Sequence, residues 1–232
     1  MREKIRILLT LVAVLLIAVS CESESYDTGD GALSYMRADF VEMRTDSRCD
    51  VVSVLTDDGE EMPAMPAFAC NWASVPDTVY RALLYYNKVE KDNGMFYAEP
   101  LGVTKVHVPE IKTEDGMNES VVTDPLTLQS SWKGQNGRYL NLELALKTGV
   151  PDDKELKQTL GMMLTEVTTD GEGRRLVRLT LLHNQNGVPQ YYTTTAYLSV
   201  PLYAMPCGLS QGDRVEISVN TYDGWIAKTF TY

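Results

Sequence analysis

From residue 32 onward the apolar residues of this chain recur at every second position, and the spacing of three and four that marks a helix is scarce. That period belongs to strands, whose side chains alternate between two faces. Between Thr78 and Asn87, Tyr80, Ala82, Leu84 and Tyr86 share one face while Val79, Arg81, Leu83 and Tyr85 share the other, so both faces of this strand are expected to be partly covered. Ser34 to Met43, Val51 to Leu55, Met95 to Ala98 and Leu101 to Val108 also read as strands, separated by Asp57-Asp58-Gly59, Asn93-Gly94 and Pro100. About five short strands before residue 112 predict a small barrel spanning residues 32–112. The proline-rich EEMPAMPAF stretch is expected at an edge or in a loop, because proline lacks the N–H that a central strand must donate.

A polar stretch, residues 113–123, ends before Asp124-Pro125 and is placed as the linker to a second domain, residues 124–232. Seven strands are expected there: Leu126 to Trp132, Tyr139 to Leu146, Leu160 to Thr168, Leu176 to Leu182, Tyr191 to Val200, Arg214 to Thr221 and Ile226 to Tyr232. Glycine- and aspartate-bearing turns separate them, and this spacing fits a β-sandwich of immunoglobulin-like size. Alternation assigns Leu140, Leu142, Leu144 and Leu146, then Val177, Leu179 and Leu181, then Val215, Ile217 and Val219, to inward faces. Only residues 151–160 look helix-capable, as one short turn in a connection.

The start of the chain has a different pattern. Arg2, Lys4 and Arg6 precede thirteen apolar or near-apolar residues, Ile7 to Val19, which end at Ser20-Cys21 and acidic Glu22. The run falls short of the ~20 residues a bilayer span needs, and a basic flank with small residues at the exit is the pattern of an export signal, residues 1–20. Ile17-Ala18-Val19-Ser20-Cys21 resembles the bacterial lipobox, with Ala18 where leucine is commonest. The resemblance implies that Cys21 is acylated, palmitate included, and that the mature chain is anchored rather than spanning. Ordinary cleavage after Ser20 is the alternative, since Ala-x-Ser also fits a signal-peptidase site. Residues 21–31 are polar, acidic and glycine-bearing, and are expected to be a flexible tether.

The full chain carries a net charge of −11. Removing residues 1–20 takes three basic residues and one acidic one, leaving 18 against 31, or −13. Such a balance repels phosphate backbones, and no basic stripe offsets it, so nucleic acid is not an expected partner. Three cysteines follow Cys21. A Cys49–Cys70 disulfide and buried free thiols are both open readings. No metal-ligand spacing, GxSxG elbow, HExxH, P-loop or dinucleotide fingerprint occurs, so no catalytic residue, metal or cofactor is assigned. Of the two histidines, His183 is expected to cap a turn or pack, and His107 to sit on the polar face of a strand.

The lipobox-like start, VYRALLYYNK, Asp124-Pro125 before the strand ending at Trp132, YLNLELAL, and LVRLTLLHNQNG over residues 176–187 together resemble the NigD-like lipoproteins of Gram-negative envelopes. The resemblance covers the whole chain. It implies an OB-like N-terminal barrel, a C-terminal β-sandwich, outer-membrane attachment with the face undetermined, and a bacteriocin-immunity role by association only. A non-enzymatic binding or interaction protein is the expected function. An accessory glycan- or peptide-binding lipoprotein and a hydrolase with an unrecognised site are the alternatives. One residue-level candidate emerges: Tyr85, Tyr86, Phe96 and Tyr97 cluster across a hairpin of the barrel, where aromatics can stack on a ligand. The competing reading makes all four barrel core and cross-strand pairs.

Overall fold

The structure, a computed structural model, describes residues 36–91, 93–114, 121–150 and 156–232. The expected export signal, its exit cysteine and the tether lie outside the described residues. Five strands form the N-terminal module: β1 (Met36–Thr45), β2 (Asp50–Thr56), β3 (Glu61–Ala69), β4 (Val79–Glu90) and β5 (Phe96–Lys105). They close into a barrel in the order β1-β2-β3-β5-β4, with β4 returning to pair with β1. This is the OB-like arrangement that the sequence predicts. Val41, Met43, Val54, Met62, Ala82, Leu84, Tyr86 and Ala98 fill its interior.

Two details of the barrel differ from the expectation. EEMPAMPAF is not a loop: it supplies β3, set between β2 and β5. Proline is tolerated because β3 meets β5 through a single parallel pair, Ala64 with Ala98, and its register with β2 shifts between Val51 and Ser53. The two short segments expected around Pro100 are likewise one strand, β5. Pro100 falls where the β4–β5 register slips between Tyr85 and Tyr86, so the missing N–H is absorbed at a bulge.

The C-terminal module stacks two sheets. Its strands are β6 (Ile111–Thr113), β7 (Thr127–Lys133), β8 (Tyr139–Thr148), β9 (Thr159–Thr169), β10 (Arg175–Asn184), β11 (Tyr192–Pro201), β12 (Arg214–Thr221) and β13 (Gly224–Thr231). One sheet runs β13-β12-β10-β9-β6 and the other β11-β8-β7. All ten residues assigned inward by alternation belong to the shared core, joined by Leu126, Met162, Leu198 and Val200. The strand beyond the expected seven is β6, which pairs in parallel with β9 from within the stretch assigned to the barrel and linker. Of the helix-capable stretch, residues 151–155 lie outside the described residues, and Thr159 already opens β9.

Candidate functional site

The four aromatics singled out in the sequence part company in the fold. Tyr86 is completely buried in the barrel, where its hydroxyl donates to Asp39 Oδ2 at 2.8 Å. Burial, with that hydrogen bond second, pushes its phenol pKa upward. Tyr85 points the opposite way, as strand alternation requires, and packs with Phe40, Leu83, Val106, Trp132 and Tyr197 between barrel and sandwich. Neither is free to stack on a ligand. Phe96 and Tyr97 do reach the surface, at the end of the barrel closed by the β4–β5 connection.

Tyr97 lines an open cavity of about 690 Å³ together with Met65, Pro66, Glu90, Lys91, Asn93 and Glu99. The Lys91 ammonium lies 5.5 Å from the Tyr97 ring centroid. A smaller hollow of about 230 Å³ adjoins it, formed by Glu60, Glu61, Met62, Pro63, Met95 and Phe96, with Lys91 common to both. Lys88 sits 4.3 Å over the Phe96 ring and pairs with Glu60. Glu99 is held by Asn87, whose Nδ2 donates to Glu99 Oε2 at 3.0 Å. The groove therefore combines an aromatic face, apolar walls from methionine and proline, and carboxylates. Other OB folds bind oligomers on the face of strands 2 and 3 and at the loops after strands 1 and 4, and β3 and the β4–β5 loop are among those parts.

The residues the sequence reading missed lie at the junction of the two modules. Arg81, on the outer face of β4, is 5 % exposed. Its Nη2 donates to Asp57 Oδ2 at 2.7 Å and to Asn141 Oδ1 at 3.1 Å, and its Nε to Ser199 Oγ at 3.1 Å. Its guanidinium lies 4.1 Å from the Tyr139 ring centroid, so barrel (Asp57, Arg81) and sandwich (Asn141, Ser199, Tyr139) close on one cation. Gly59, at φ 91°, completes the tight turn that delivers Asp57 to this place. Asp57 thus has a partner beyond the turn chemistry that explains its position in sequence. The available signal was a lone arginine in the otherwise apolar first half of β4, Val79 to Tyr86.

Around this cation, Phe40 meets Trp132 and Tyr197 edge-on at centroid distances of 5.2 and 5.4 Å. Glu42 of β1 accepts from Arg138 Nη2 at 2.9 Å and from the Tyr139 hydroxyl at 2.8 Å. Both histidines serve the frame. His183 is buried with its ring between Asp124 O and Gln158 Oε1, at 3.0 and 3.1 Å, and the His107 Nε2 lies 3.1 Å from Leu160 O. His107 is exposed just beyond β5, bridging to Leu198.

The three described thiols are free, so the Cys49–Cys70 bridge is not formed. The two residues would continue the β2–β3 ladder one step past Asp50 and Ala69. Cys49 closes the β1–β2 turn at φ 65°, in the left-handed region that non-glycine residues seldom adopt. Cys70 instead packs against the barrel core, and burial pushes its thiol pKa up.

An OB-like barrel fused through a buried polar junction to a β-sandwich defines a class of two-module, all-β protein. The sequence model of the NigD-like C-terminal beta sandwich domain matches residues 109–232, more than half of the chain, and the chain belongs to the NigD-like family. No curated protein matches it. Among solved structures it is similar to a NigD-like immunity protein from Bacteroides caccae, with a TM-score of 0.62 and 21 % identity over 84 % of this chain and 96 % of the other. A toxin-related protein from Parabacteroides distasonis gives a TM-score of 0.64 and 19 % identity, covering 85 % and 93 %. A candidate lipoprotein from Bacteroides fragilis gives 0.57 and 14 %, covering 84 % and 96 %. These likenesses establish the shared fold. The match from residue 109 also accounts for β6, which belongs to the sandwich although it straddles the expected boundary of barrel and linker.

Proposed function

We propose that this NigD-like protein is a non-enzymatic binding protein held on the cell envelope by lipid on Cys21, with the barrel groove as its binding face. The observation that carries the reading is the open cavity at Tyr97: it offers stacking surface, carboxylates and apolar walls on a part of the barrel that the sandwich does not cover. The anchor is supported by the lipobox-like Ile17 to Cys21 and by a structural neighbour named as a candidate lipoprotein. Placement on the outer membrane follows from the family resemblance and leaves both faces open. A protective, immunity-type role is a second reading, favoured by the name of the Bacteroides caccae neighbour; sensitivity of a deletion strain to toxins from neighbouring bacteria tests it.

Labelled palmitate tests the anchor. The native chain is expected to incorporate label and fractionate with membranes, whereas Cys21→Ser should carry no label and be recovered in the soluble envelope fraction. A native chain that takes up no palmitate would show that export ends in ordinary cleavage.

A further inference from the structure

The carboxylates of the groove outnumber its cations. Glu60, Glu61, Glu90 and Glu99 line its two hollows, against Lys91 in the lining and Lys88 beside them. Both cations are occupied, Lys88 by Glu60 and the Phe96 ring, Lys91 by the Tyr97 ring. Among the described residues Glu61, Glu90 and Glu99 have no ion-pair partner, unlike the carboxylates at the Arg174, Arg175 and Arg178 clusters of the sandwich. Behind the lining, Asn87 is 9 % exposed; its Nδ2 orients Glu99, and among the described residues its Oδ1 has no hydrogen-bond partner. A buried acceptor left open costs free energy unless something donates to it.

From these features we infer that the groove takes a basic peptide segment, with a lysine or arginine side chain laid along Tyr97 and its charge set against Glu99 and Glu90. This rests on the reading of the barrel groove as a binding face. A long basic side chain suits the lining on two counts: its aliphatic stem packs on the aromatic face and on Met65 and Pro66, and its cationic head meets free carboxylates. An acidic or phosphorylated ligand would meet more carboxylates than cations there. The excess of acidic over basic residues across the whole chain also raises the local concentration of cationic partners and speeds their encounter.

The test uses the full chain in detergent micelles, titrated with a fluorescein-labelled Arg-Leu-Arg-Leu-Arg peptide, its Glu-Leu counterpart and a labelled neutral hexasaccharide. Binding is expected for the basic peptide alone. Glu99→Gln, which keeps an acceptor for Asn87, should weaken it about tenfold, and Tyr97→Ala by a similar factor, with melting temperatures close to that of the parent. Glu172→Gln removes the same charge from a distant exposed turn and should leave affinity within twofold. Equal weakening by Glu172→Gln and Glu99→Gln would overturn the site, since only bulk charge would then be at work. Tyr97-dependent binding of the hexasaccharide without the basic peptide would keep the groove as a binding face and discard the cationic ligand. Tyr97-independent binding of every probe, or none at all, would remove both.

Discussion

At the scale of single residues, the polar side chains most firmly held are those that sequence reading treats as turn furniture. Asp213 follows Gln211-Gly212 and looks like an ordinary turn aspartate. In the fold it is 2 % exposed and accepts from the backbone N–H groups of Arg175 and Ser210 and from Arg175 Nε and Nη2, at 2.9, 2.8, 3.0 and 2.5 Å. The Arg175 side chain, followed by those backbone donors, holds its carboxyl down at about 2. A carboxylate depressed in the folded state stabilises the protein above the ordinary carboxylate range, and that contribution fades as pH falls from about 4 towards about 2. Asp213→Asn should therefore cost roughly 2–3 kcal/mol at neutral pH and flatten the acid limb of the stability curve. Urea midpoints of parent and variant at pH 7, 5 and 3 check this: the gap should be nearly the same at pH 7 and 5 and narrow at pH 3, and a gap independent of pH would remove Asp213 from the acid response.

At the scale of elements, β4 shows what alternation can and cannot convey. The two-sided pattern of Val79 to Tyr86 stated that both faces are partly covered, and they are: Ala82, Leu84 and Tyr86 line the barrel, while Arg81, Leu83 and Tyr85 meet the sandwich. The leucine and valine ladders of β8, β10 and β12 were legible for the same reason, since a period of two leaves no choice of face once one side is buried. Proline at β3 and β5 misled because its cost depends on whether the lost N–H had a partner, and that is decided by a neighbouring strand remote in sequence. The aromatic quartet failed as a unit for the opposite reason. Adjacency in sequence sets Tyr85 and Tyr86 on opposite faces, and it likewise parts Phe96 and Tyr97, which line different hollows of the groove. Tyr85→Ala is accordingly expected to lower stability by about 2–4 kcal/mol through the lost junction packing while leaving basic-peptide affinity within twofold. Thermal melts paired with the peptide titration decide it: weakened binding at unchanged stability would return Tyr85 to the ligand face.

At the scale of the molecule, the question is why two modules with separate cores behave as one compact body from Met36 to Tyr232. Their junction is polar at its centre. Arg81 gathers Asp57, Asn141 and Ser199, and among the described residues its own Nη1 and Asp57 Oδ1 have no partners, a cost that a purely apolar seam would avoid. A buried cation with fixed donors tolerates little sliding, whereas Phe40, Trp132 and Tyr197 alone could repack over several orientations. The arrangement fixes the angle at which the groove stands relative to the sandwich, at some expense in stability. Arg81→Met keeps the volume and removes the charge, stranding Asp57 with Asn141 as its remaining side-chain partner. The expected loss is roughly 3–5 kcal/mol, and it should fall on the coupling between the modules as well as on either core. Calorimetry of the parent should then give a single transition with matching calorimetric and van't Hoff enthalpies, and the variant two transitions or a van't Hoff enthalpy well below the calorimetric one. If Arg81→Met instead melts as one unit at the parental temperature, the aromatic cluster alone locks the modules, and the buried cation contributes nothing to their union.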